Sequence, residues 1–337
     1  CQIDDVNPNP RKVSLMLDRS KFPADSEWSP IPDIPLPDMK LGESQRYASL
    51  TIFPLLDPVA RSLPYLLLAD ALQVGIVQLV ELGTGTVPEV LVENDSELDV
   101  LILDGEQLIG AKQNRTVSRT ILVPARTKIT LPVSCMEHGR WRFTSGRFRH
   151  AGHHSPSKVR RHARKAEADC AARLMRASPS VLARAQGAVW SEIADSSVRL
   201  GGRSPTGALD HLYELKALDL DAWSKRFPWV DDQVGLIAFL GEKPLGLDVI
   251  GGHRLYARLH KRLVTGYIMD AFTAGPSYER IAVGADSAAA FLKKVRGANR
   301  TAAPTVGRGT YRVLSGRVMG GELEDKGGLV HLSAFPR

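Results

Sequence analysis

The rhythm of apolar and polar positions changes twice along this chain. Up to residue 45 no periodicity is visible. Seven prolines (Pro8, Pro10, Pro23, Pro30, Pro32, Pro35, Pro37) favour extended backbone there, so residues 1–45 read as an arm that wraps a surface or acts as a tether. From Arg46 short apolar or alternating runs take over: RYASLTIFPLL, VGIVQLVEL, EVLVEN, LDVLILDG, TVSRTILVPA, TKITLPVSC and RWRF, most of them separated by Gly, Pro, Asn or Asp. Alternation bounded by turn formers marks half-buried strands. About seven of them over residues 46–145 predict an antiparallel, β-sandwich-like layer, with PYLLLADAL as one brief helical interruption.

Past Ser155 the period lengthens to that of a helix. KVRRHARKAEADCAARLMR, SVLARAQGAVWSEIADSSVRLG and PTGALDHLYELKALDLDAWSKRF predict three helices; Ser180 can cap the second, and Ser204 with Pro205 can open the third. QVGLIAFLGEKPLGLDVIGG predicts a hairpin turning at Gly241–Pro244. Helices over 253–273 and 285–296 follow, then strands in GTYRVLSGRVMG and GLVHLSAF. The expectation is an α+β fold: an arm over 1–45, a β-rich domain over 46–145, and a helical and smaller α+β domain over 146–335 that shares a cleft with the first.

Composition narrows this only slightly. At 43% hydrophobic and 24% charged residues, the chain is too apolar to be disordered. No apolar run approaches the roughly 20 residues of a membrane-spanning helix. The net charge of +7 admits an anionic partner. Three cysteines, Cys1, Cys135 and Cys170, form no disulfide framework and suit a reducing, cytoplasmic setting. The alternative is a lipid-modified Cys1 tethered by the Pro-rich arm. No cofactor can be read, and neither can an oligomeric state.

Candidate chemistry concentrates between Leu101 and Trp141. Asp104 and Glu106 lie two apart, so on a strand they share a face, as paired acid–base or metal-binding carboxylates can. The plainer reading is an Asp-Gly turn and a solvated glutamate. Lys112, Gln113, Asn114 and Arg115 offer charge-assisted donors to a phosphate or carboxylate, or else form a polar loop paired with those acids. Cys135, followed by Glu137 and His138, is a candidate nucleophile or a buried structural thiol. These groups define a candidate catalytic set of Asp104, Glu106, Cys135 and Glu137. The candidate binding set is Lys112, Gln113, Asn114, Arg115, Arg140, Trp141, Trp190, Ser204 and Thr206, the last two offering backbone N–H groups at a helix start.

Residues 138–166 carry nine Lys or Arg, five His and no acid. They read as a strip for RNA or another polyanion, or as a solvated connector. Zinc bound through Cys135, His138, His150 and His153 is opposed by the surrounding positive charge. No dinucleotide fingerprint and no Walker loop is present.

LDGEQLIGAKQNR (103–115), LPVSCMEHGRWRF (131–143), RSPTGAL (203–209), FPWVDDQVGLIAF (227–239) and VHLSAF (330–335) resemble the ADP-ribosylglycohydrolase-and-rhodanese/phosphatase-associated domain family. The resemblance runs from about Leu41 to Phe335. By association it implies a place in NAD- or ADP-ribose-linked metabolism. Three functions follow as expectations. The first is binding, with hydrolysis as its extension, of a small anionic metabolite related to a nucleotide or ADP-ribose. The second is polyanion binding by the basic strip, and the third is an interaction scaffold using the arm.

Overall fold

The run Gln233–Leu240 is buried at all eight positions, which a strand achieves only when both faces of its sheet are covered. The computed structural model describes residues 36–337 apart from 60, 82–88, 140–144, 173–178, 203, 205 and 275–281, with backbone alone at 89, 166–172 and 179–183. Leu236, Ala238 and Leu240 enter one core together with the helix His253–Phe272. Val234, Ile237 and Phe239 enter a second core with the helix Ala285–Arg296. The sheet is a filling between two layers of helix.

That sheet has nine antiparallel strands. Their order is Lys40–Leu41, Leu50–Leu56, Gln233–Leu240, Lys243–Ile250, Gly328–Pro336, Val318–Asp325, Thr310–Ser315 and Asn299–Ala303, with Gln45–Tyr47 also paired to Leu50–Leu56. The predicted hairpin is present, its strands joined at Gly241 and Glu242. Lys40–Leu41, at the end of the segment read as an arm, already pairs with Leu55 and Leu56. Residues 1–35 of that segment lie outside the described residues.

A six-stranded antiparallel sheet follows the order Phe148–His154, Glu106–Gly110, Arg115–Val117, Thr127–Cys135, Glu89–Asn94 and Val77–Glu81. A small sheet of Ile121–Val123, Val100–Ile102 and Leu66–Leu67 faces it, the last pair of strands being parallel. Val100, Ile102, Ile121 and Val123 pack with Leu79, Val92, Leu108 and Leu131 in a third core, which also takes Leu68 and Ala71 of the helix Leu68–Gln73. The alternate residues Leu101 and Leu122 turn the other way, into the core of the helix His253–Phe272. The α+β class with a sandwich-like layer is therefore the architecture.

The sheets cross the boundary drawn at residue 145. Leu50–Leu56 joins Gln233–Leu240, Phe148–His154 joins Glu106–Gly110, and residues Leu36–Arg337 cluster as one unit. The stretch read as a solvated connector is thus a strand followed by the helix Ser157–Ala172. The helix predicted over 205–227 divides into Leu209–Leu215 and Ala217–Ser224, because Lys216 adopts φ −107° and ψ 12°. RWRF falls outside the described residues.

Candidate functional site

The basic strip resolves on one helix. In Ser157–Ala172, Arg160 and Arg164 are one turn apart and face inward, while Lys158 and Arg161 line an external cleft. The buried side holds two carboxylates. Arg160 donates to Asp248 at 2.6 and 2.9 Å and to Asp104 at 3.3 Å, and Arg164 reaches Asp104 at 3.1 Å. Tyr267 donates to Asp248 at 2.6 Å, and Ser333 to Asp104 at 3.2 Å. Burial alone would raise both carboxyl groups. Arg160 and His331 at both, joined by Arg164 at Asp104, together more than offset it, so both acids lie below their ordinary range.

Thr120, His331 and Asp248 have the hydrogen-bond order of a nucleophile–base–acid relay. Thr120 Oγ1 lies 2.6 Å from His331 Nδ1, and His331 Nε2 lies 3.4 Å from Asp248 Oδ1. With all three at 2% exposure or less, no face is open to a substrate. The cluster is a keystone joining the sheet, the helix and the Asp104 turn.

Asp104 and Gly105 form the tight turn of the plainer reading, with Glu106 N–H donating to Leu103 O at 3.2 Å. Gly105 has φ +88°, and a Cβ there would lie 2.7 Å from His154 Nε2 and 2.8 Å from Arg160 Cδ, so only glycine fits. Asp104 and Glu106 do not act as a pair. Glu106 Oε1 instead faces His150 Nε2 at 3.5 Å and Arg262 Nη1 at 3.7 Å. Burial raises its carboxyl, but the hydrogen bond from His150 and the charge of Arg262 bring it below its usual value. His154 is pushed down to about 3 by burial and then by Arg160, so it stays neutral. Neither acid is poised to give up a proton at neutral pH.

The remaining predicted groups do converge. Cys135 lies opposite Arg115 in register, and the buried Arg115 touches the Cys135 thiol while pairing with Glu81 at 2.7 Å. Asn114 N–H donates to Glu137 Oε2 at 3.2 Å, Gln113 Nε2 to Glu137 O at 2.9 Å, and Lys112 N–H to Glu81 Oε2 at 3.2 Å. Gln186 clasps the Cys135 backbone at 2.8 and 2.9 Å, and Trp190, one turn further along the helix Pro179–Arg199, meets His138 edge-on. Burial pushes the Cys135 thiol up and outweighs Arg115, which keeps it protonated. Every one of these contacts is internal, so the set reads as a structural clasp. Arg140 and Trp141 lie outside the described residues.

Ser204 is not a helix cap. Its Oγ accepts from Ala208 N–H at 2.9 Å, Leu209 N–H donates to Met136 O, and Thr206 O accepts from Gly139 N–H. The N–H groups of Gly207, Ala208 and Leu209 that follow are already in use.

The external cleft was not anticipated as a whole. It encloses about 370 Å³ and is lined by Lys158, Arg161, Arg199 and Lys243 with Ser157, Thr273 and four aliphatic residues. Among the described residues no carboxylate lines it. Asp270 fills the helix start beside it, accepting from Ser157 N–H at 2.7 Å and Lys158 N–H at 3.3 Å. Glu192 lies 3.7 Å from Arg199. Lys158 and Arg161 stood in the basic strip; Arg199, Lys243 and Thr273 carried no signal, since only the tertiary fold brings them there.

Among the described residues no group of three or more His, Cys, Asp or Glu is placed to hold a metal ion, and no helix is long and apolar enough to cross a membrane. Fold and cleft together define a strand-rich α+β protein with a cationic pocket on a three-sheet framework. The chain belongs to the ARG and Rhodanese-Phosphatase-superfamily-associated Protein domain family, whose description matches residues 38–335. No curated protein and no solved structure matches it.

Proposed function

We propose that the protein binds a small anionic metabolite in the cleft between the helix Ser157–Ala172, the end of the helix Pro179–Arg199 and the turn before Lys243. One observation carries this reading: four cationic side chains from three chain segments line one concavity, with no carboxylate among its described lining residues. Lys and Arg there supply charge-assisted hydrogen bonds, which an anion returns most strongly in a partly desolvated recess. A volume of about 370 Å³ falls at the small end of metabolite pockets. The family's name, which couples it to phosphatase-superfamily proteins, makes nucleotides and ADP-ribose the first ligands to try.

Binding is favoured over hydrolysis. Asp104 and Glu106 are committed to buried cations, and the Cys135 thiol is held protonated. The polymer alternative is weakened because Arg160 and Arg164 are spent inside the protein. Thermal denaturation with a panel of phosphorylated metabolites tests the reading. A ligand at a hundred times its dissociation constant adds about 2.7 kcal/mol of stability. The double variant Arg161→Glu, Lys243→Glu is expected to abolish the shift while keeping the wild-type circular dichroism. A panel without any shift, or a shift that survives the double variant, would overturn it.

A further inference from the structure

Resting on that anion-binding reading, we propose that the cleft takes up its anion together with a proton, which settles on the Asp270 carboxylate. Asp270 is then an affinity-determining group behind the ligand, and the anion binds more tightly as the solution is acidified.

Placement comes first. Asp270 lies in the last turn of the helix His253–Phe272 and is wholly buried. Its Oδ2 accepts from Ser157 N–H at 2.7 Å and its Oδ1 from Lys158 N–H at 3.3 Å. Both donors belong to residues that line the cleft, so the carboxylate sits directly behind the cleft wall. Lys158 Nζ, 3.5 Å from Thr273 Oγ1 in the same lining, also favours the ionised carboxylate. One lysine therefore serves both the cleft and the buried acid.

Charge balance sets Asp270 apart from the other buried acids near this helix. Asp104 and Asp248 pair with Arg160, and Glu106 with Arg262. Among the described residues no lysine or arginine forms an ion pair with Asp270. The charged and titratable groups facing it are Lys158 on the helix Ser157–Ala172, Tyr213 on the helix Leu209–Leu215 and Tyr267 on its own helix. Burial outweighs the bonds from Ser157 and the charge of Lys158, and the carboxyl lies above its ordinary range. Lysine is already protonated and a tyrosine hydroxyl has no proton to gain near neutrality. The carboxylate is the group that can respond.

An anion in the cleft acts on it twice in one direction. Its like charge disfavours the carboxylate, and it draws on the Lys158 charge that favours the carboxylate. The proton comes from solvent and forms an O–H bond on Oδ1. The short bond from Ser157 N–H to Oδ2 is kept, and the longer one from Lys158 N–H is given up. The coupling is reciprocal, so protonation favours the anion by the factor with which the anion favours the proton.

Isothermal titration calorimetry of the full chain with sulfate, which keeps its charge from pH 5.5 to 7.5, tests this. Heats in two buffers of different ionisation enthalpy give the protons taken up. Net uptake is expected, with binding about fivefold tighter at pH 5.5 than at pH 7.5. Asp270→Asn keeps an acceptor for Ser157 N–H and should abolish both the uptake and the pH dependence. His162, 3.7 Å from Glu192 on the helix of Lys158 and Arg161, is the competing proton acceptor, and His162→Gln should leave the uptake unchanged. Infrared difference spectra of the wild type should gain a protonated-carboxyl band on sulfate addition, a readout that stands even where Asp270→Asn does not fold. Sulfate bound without proton uptake, without that band, or with uptake lost in His162→Gln would overturn the coupling and leave the anion-binding reading standing. Uptake that persists in folded Asp270→Asn would do the same. No binding of sulfate or of the phosphorylated panel would remove both.

Discussion

Arg160 and Arg161 are adjacent in the chain and work on different faces of one helix. The Arg160 guanidinium lies 2.6 Å from Asp248 in a fully buried cluster, whereas Arg161 lines the open cleft. The same residue type therefore supports the fold at one position and offers charge to a ligand at the next. The difference is burial. An interior arginine is tolerated only beside acids that it neutralises, and an exposed one is free to bind.

Removing the inner arginine should be far more damaging than removing the outer one. Arg160→Ala leaves Asp104 partly paired through Arg164 and strips Asp248 of its cation, so a loss of about 3–5 kcal/mol in urea unfolding is expected. Arg161→Ala should lie within about 0.5 kcal/mol of wild type. Equal losses for the two variants would contradict this division.

Stability should fall as the solution is acidified, in two stages. His154 has a folded-state value depressed to about 3, so the unfolded chain binds the extra proton below its own value of about 6.5. Stability due to its neutral form is complete above that value and declines as pH falls towards 3. Between pH 6.5 and 4.5 this gives a loss of roughly 2–3 kcal/mol at about 1.4 kcal/mol per unit. His153 and His260, also depressed by burial, act in the same direction. Below about pH 4 Asp104, Asp248 and Glu106, all held low in the folded state, add a second and steeper decline. Urea midpoints across pH 4.5–7.5 should show a flatter profile in His154→Gln, and identical slopes would exclude His154 as the source.

Cys135 should be a sluggish thiol. Burial raises its value against the pull of Arg115, so little thiolate exists at neutral pH. Peptide-resolved mass spectrometry after iodoacetamide treatment at pH 7 should find it labelled at least tenfold more slowly than free cysteine. Faster labelling than the free amino acid would restore the nucleophile expected from its neighbours Glu137 and His138.

Much of the framework was legible in the chain because local pattern and tertiary role agreed. The run QVGLIAFL and the 3.6-residue period of 253–273 are apolar where the cores need them. Phe148–His154 hid its strand because its interior positions include histidines, whose burial depends on Glu106 and on the helix Ser157–Ala172, neither visible locally. The break at Lys216 was equally silent, since no glycine or proline marks it. Among candidate site groups, Gln113, Asn114, Arg115, Cys135 and Glu137 meet because adjacent strands carry them. Asp104 and Glu106 part company because a turn, and not a continuous strand, joins them. Arg199 and Lys243 could not have been joined to Lys158 by any spacing rule.

The pairing of Leu50–Leu56 with Gln233–Leu240 also sets a timetable for biogenesis. At about 5–20 residues per second, the ribosome needs roughly ten to forty seconds between the two strands. Through that interval an apolar strand, paired on one side with Lys40–Leu41 and Gln45–Tyr47, emerges with its other edge unpaired, while the six-stranded sheet can close on sequence already made up to His154. An unpaired apolar edge is a template for association with other chains. Nascent chains halted between residues 160 and 230 should therefore be the form most dependent on chaperones, and the finished protein should refold slowly for its size because its largest sheet is stitched from distant ends.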